Sequence, residues 1–136
     1  MGPRAAEVNL AARCDAIEEC YEFMLAYAAQ GLADDAGSQS GAQIREYLRG
    51  TVTALNGLAE AITAEGLQPA AFITVVDRDA RDSLAAIELV LAQPGISSQL
   101  IDNLNASIHL RALLTDLFLI DEILKLQKVG GTAAAG

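Results

Sequence analysis

The chain of 136 residues carries 18 acidic against nine basic side chains, a formal charge of −9. With a pI near 4.4, attraction to phosphate backbones or anionic lipid is unfavourable, which argues against nucleic-acid and peripheral-membrane roles. Residues are 52% hydrophobic but only 4% aromatic, and the aliphatic share is mostly Ala and Leu, so the composition points to a single all-α domain.

The first helix is expected from about Ala5 to Gly31. Leu10, Cys14, Ile17, Tyr21, Met24 and Ala28 form its core stripe, and Glu7, Asp15, Glu18, Glu19 and Glu22 its solvent face. A polar loop, Ala33 to Gly41, follows, in which Asp34-Asp35 fits loop solubility better than a metal site. Ser40 with Gln43 has the form of a capping box for a second helix running to Glu65. Ile44, Tyr47, Leu48, Val52, Leu55 and Ile62 share its apolar face. Gly50, Ala54, Gly57 and Ala61 line a small-residue edge, open to close approach by a neighbour or to simple tolerance of glycine.

Gly66-Leu67-Gln68-Pro69 stops that helix and places a proline at the first position of a third, running to about Gln93. Phe72, Val76, Ala80, Leu84, Ile87 and Leu91 supply its core face, and Asp77, Arg78, Asp79, Arg81 and Asp82 its solvated middle. Pro94-Gly95 breaks the chain again, Ser97 or Ser98 can cap, and a fourth helix is expected to Lys128. The predicted architecture is an antiparallel up-down-up-down four-helix bundle over 1–128, with a disordered tail at 129–136.

The fourth helix is too apolar for one face. Leu104, Ile108, Leu119 and Leu126 make one stripe, Leu113, Leu117 and Leu124 another, with Phe118 between polar positions. Leu113, Leu117, Leu124 and Phe118 are therefore candidates for an interface, most simply that of a two-fold homodimer, with another protein partner as the alternative.

Candidate chemistry is sparse. His109, the single histidine, shares a polar stripe with Asp102, Asn105 and Asp116. A di-metal bundle site would need Glu-x-x-His on two helices, but Ala106 stands three before His109 and no second histidine exists, so no metal or cofactor is expected. A histidine phosphotransfer module, which wants Lys-Gly downstream, meets Leu110-Arg111-Ala112 instead and ranks below the other readings. Cys14 and Cys20, six apart, point roughly 120° from each other on one helix and are expected as free thiols, raised in pKa by nearby carboxylates.

Two functions follow as expectations. The first is a non-catalytic helical-bundle protein acting through protein–protein interaction as a homodimeric adaptor, regulator or chaperone-like factor. The second is a small-molecule-binding or weakly catalytic bundle with a site near His109, Asp102, Asp116, Tyr47 and Cys14. No apolar run of about 18 residues or basic-headed leader is evident, and Ala6 breaks the myristoylation pattern, so a cytoplasmic protein off the membrane is expected.

Overall fold

The computed structural model describes residues 9–135, with side chains to 129; residues 1–8, including the expected start of the first helix, and residue 136 lie outside the description. Six helices are present among the described residues, with no strand: α1 (Leu10–Ala29), α2 (Gln39–Leu55), α3 (Leu58–Ala64), α4 (Ala71–Leu91), α5 (Ser98–Ala106) and α6 (His109–Ala135). All-α is therefore correct, while the four continuous rods are not: the second and fourth expected helices are each broken in two. The backbone of 129–135, expected as a disordered tail, continues α6. No helix is long and apolar enough to cross a membrane among the described residues.

Local signals account for the ends. Asn9, Ser38 and Ser97 accept from the N–H groups of Ala12, Gly41 and Leu100 and so open α1, α2 and α5. Ser38, rather than Ser40, is the cap of α2. Gly41 there packs so tightly that a methyl group would overlap the Asp35 carbonyl. Pro69 stands in the turn before α4 rather than at its first position.

The break between α2 and α3 has a cause in a side chain from α1. Arg13 is buried, 1% exposed, and its guanidinium donates to the carbonyls of Ala54 (2.9 Å) and Asn56 (2.6 Å) at the end of α2. Those carbonyls have no partner within the helix, and a cation is favoured at the negative end of its dipole. Gly57 then turns the chain with φ 88°, and a Cβ there would stand 3.2 Å from the Arg13 side chain. Of the small-residue edge, then, Gly57 has a reason to be glycine, whereas Gly50 is exposed with open space where a Cβ would go.

A second arginine closes another helix in the same way. Arg45, from α2, donates to Leu91, Gln93 and Pro94 carbonyls at 3.2–3.3 Å where α4 ends, and its Nε meets Asp35 at 2.6 Å. Asp35 also accepts from the Ile96 N–H at 2.7 Å. Arg45, and then the Ile96 amide, hold the Asp35 carboxyl well below the usual carboxylate range against the effect of its burial. Asp35 is thus a structural ion-pair residue, not mere loop solubility. Beside it Tyr27 donates to Ile96 O (2.6 Å), Ser98 Oγ donates to Tyr27 O (2.6 Å), and Leu32 and Ser98 exchange further bonds at 2.8 Å.

The break between α5 and α6 lies at Ile108, which has φ 67°. A left-handed conformation at a β-branched residue costs about 1–2 kcal/mol, and it reorients the chain between the two helices. Around these joints α1 packs on α2 and α5, and α4 on α6, enclosing Ile17, Met24, Ile44, Leu48, Ile87, Ile101 and Leu113, each at most 1% exposed.

Replacing Arg13 by Met keeps most of the volume but leaves the Ala54 and Asn56 carbonyls without their donor. The expected loss is about 3 kcal/mol. Urea unfolding should show it as a lower midpoint at unchanged slope.

Candidate functional site

The residues proposed to form a ligand site do not converge. His109 is exposed as the first residue of α6. Asp102, also exposed, borders an open depression with Leu25, Leu32 and Ser98. Tyr47 stacks on Phe23 with ring centroids 4.6 Å apart, between α1 and α2. Cys14 lies between α1 and α6. Asp116 faces Asp79 of α4. The turn at Ile108 removes Asp102 from the wheel position it was expected to share with His109 and Asp116; those two remain seven apart on α6, with His109 exposed at its first residue and Asp116 facing Asp79.

The interface candidates need a correction from packing, because the face of α6 that carries Leu113, Leu117 and Leu124 is the one turned to the core. Leu113 (0% exposed), Leu117 (3%) and Leu124 (8%) belong to the chain's own core. The leucines outside it are Leu119 (51%) and Leu126 (62%), from the stripe that Leu104 shared on the continuous wheel. Leu104 itself is buried. Of the four named positions Phe118 alone is exposed, at 57%.

The concave feature richest in these residues is a cleft between α1 and α6. One section, about 350 Å³, has Cys14, Leu117, Phe118 and Leu124 among its lining residues. The next, about 290 Å³, takes in Tyr21, Leu114 and Thr115, and the two share Glu18 and Phe118. Asp15, Glu18 and Glu22 line it from α1, and Arg111, Lys125 and Lys128 from α6; Glu65 and Asp121 complete its charged groups. The helical repeat places Leu10, Cys14, Glu18 and Tyr21 on one side of α1, so this wall lies where the expected core stripe meets the expected acidic face.

The electrostatics of the cleft suit recognition better than nucleophilic attack. Burial pushes the Cys14 thiol up to about 11, with Glu18, Asp121 and Asp15 adding to the effect. Burial likewise raises Cys20 to about 11, against an opposing hydrogen bond with Thr51. Both sulfurs are protonated near neutrality, and the thiolate is the reactive form. No group of three or more metal-ligating side chains is gathered among the described residues.

A carboxyl pair was missed in the sequence, where Asp79 counted among solvated charges. Asp77 and Arg81 do form the exposed i,i+4 pair expected there, at 2.8 Å. Asp79 instead faces Asp116 across the α4–α6 seam, and Asp116 Oδ2 is buried without a donor. Desolvation first, then the hydrogen bond and charge of Asp79, raise Asp116 to about 7. Two carboxyls brought together favour the protonated form of the more buried one, Asp116, a relation invisible until the helices are docked.

This pair sets a sign for pH dependence. A carboxyl whose pKa is higher folded than unfolded binds its proton more tightly in the native state, so its contribution is fully favourable below about 4 and declines as pH rises to about 7. Asp116→Asn should abolish that decline and raise the urea midpoint at pH 8 relative to the parent, with little difference at pH 4. Equal midpoint-versus-pH curves for the two proteins would contradict the assignment.

No protein-family model, curated protein or solved structure matches this chain.

Proposed function

We propose that the chain is a non-catalytic helical-bundle module that acts through protein–protein association, first with a second copy of itself, along the outward face of α6. The observation that carries the reading is that face. Phe118, Leu119, Leu126 and Val129 are 51–69% exposed and fall within roughly 100° of one helix surface along about 17 Å of its axis, with the exposed Glu122 among them. Single exposed leucines are ordinary, whereas an apolar strip of this length is characteristic of association surfaces. A two-fold dimer is the simplest closed assembly that would cover it.

Two further observations support the reading. The candidate ligand residues are scattered over separate surfaces, and both thiols are held in their unreactive form. The four helical segments, α1, α2–α3, α4 and α5–α6, would form the bundle that presents the strip. A net charge of −9 keeps copies apart unless a specific fit overcomes their repulsion.

Light scattering over a dilution series is the test. The expected mass is twice the 14.2 kDa of the chain, giving way to the monomer on dilution. Leu119→Asp with Leu126→Asp should yield the monomer at concentrations where the parent is dimeric, with helicity unchanged. A parent protein that remains monomeric throughout would overturn the reading.

A further inference from the structure

We infer that the α1–α6 cleft is the seat of a second copy of this chain, docked with α1 of each copy against α6 of the other. The inference rests on the self-association proposed above and shifts its seat to the cleft beside the exposed strip: Phe118 belongs to both, whereas Leu119, Leu126 and Val129 line neither section of the cleft.

The cleft has the ingredients of a self-complementary surface. Its floor includes Cys14, Leu114 and Leu117, and Phe118 stands in the middle, shared by both sections and 57% exposed. An exposed aromatic beside unfilled clefts of about 290 and 350 Å³ is both a projecting group and a receptacle for its counterpart. The charges are divided by wall. The α1 wall carries Asp15, Glu18 and Glu22, and the α6 wall carries Arg111, Lys125 and Lys128. Asp121 meets Lys125 at 3.0 Å, so that pair cancels and Arg111 and Lys128 give the α6 wall its net positive charge; Glu65 comes from the turn after α3.

That division selects between two ways of facing two such clefts. A two-fold axis across the helices would lay α1 on α1, setting three carboxylates against three. An axis along the helices lays α1 of one copy on α6 of the other, so the acidic wall of each meets the basic wall of its neighbour, twice over by symmetry. Like charges brought together at an interface are strongly unfavourable, and opposite charges fix register. The axis along the helices also keeps Glu22 and Arg111, which line the same section of the cleft, at the same end of the interface.

Charge exchange tests this directly by analytical ultracentrifugation. The first variant, Glu18→Lys with Glu22→Lys, makes the α1 wall basic; the second, Arg111→Glu with Lys125→Glu, makes the α6 wall acidic. Each alone should weaken self-association on the order of tenfold or more. Mixed in equal amounts they should form a heterodimer, because each altered wall then faces its opposite. Circular dichroism and urea midpoints establish that both variants fold. Phe118→Ala, which alters no charge, should weaken the dimer by a similar factor and supplies a second readout should either quadruply charged exchange impair folding.

The outcomes separate the two levels of argument. A first variant that dimerises as tightly as the parent overturns the α1-on-α6 arrangement, since only an acid-on-acid interface or another face would be indifferent to it. If Phe118→Ala and both charge variants associate like the parent while the Leu119 and Leu126 substitutions dissociate it, self-association stands and the cleft is not its seat. A parent protein that is monomeric throughout removes both.

Discussion

Two helix ends, each closed by an arginine from a different helix, hold this fold together. The last carbonyls of a helix have no partners of their own, and leaving them bare inside a protein costs more than any single hydrogen bond returns. Arg13 reaches from α1 to the end of α2, and Arg45 reaches from α2 to the end of α4. Consecutive segments are thereby fixed by charged contacts at the point where one helix must stop. The chain can turn at Asn56-Gly57 because the guanidinium has replaced the next turn of helix as the partner of those carbonyls. Burying Arg13 is tolerable for the same reason: its charge lies against the negative end of a helix dipole, among carbonyl acceptors.

The sequence made helicity and its approximate extents legible, since apolar spacing near 3.6 persists through long segments and Ser, Gly and Pro punctuate them. It did not reveal the two internal breaks. Gly57 stood in a segment that scores well as helix, and its role depends on Arg13, 44 positions earlier in the chain. Ile108 is a still less readable stop, because nothing in an isoleucine advertises a left-handed backbone. That one residue had large consequences. A helical wheel carries its phase forward only through unbroken helix, so the buried Leu104 of α5 does not share a stripe with the exposed Leu119 and Leu126 of α6.

The functional residues show the same limit. The acidic side of α1 could be anticipated from near neighbours along one helix, and so could the direction of the Cys14 shift, although its first cause, burial, and the contribution of Asp121 come from packing. Asp35 with Arg45, and Asp79 with Asp116, join side chains whose relation exists only after packing. In both cases the charges looked like ordinary surface polarity. One pair became a clamp and the other a carboxyl with a raised pKa set against a second carboxyl, because of what the neighbouring helix brought against them.

Polar cross-links are distributed unevenly between the turns. After α1 and after α4, the segments around Leu32–Asp35 and Gln93–Ser98 are joined by exchanged bonds between Leu32 and Ser98 and by the contacts of Asp35 and Arg45. The turn between α3 and α4 has a lighter attachment to α6, an exposed bond from Gln127 to the Gln68 carbonyl at 2.6 Å. Over evolutionary time these turns should therefore differ in the freedom to change length. Insertions at the exposed positions on either side of the buried Leu67 would lengthen a surface turn, whereas even a residue added at 33–36 or 93–97 would pull apart two segments that are sewn to each other, making that end of the molecule the part that descendants keep while the other end drifts.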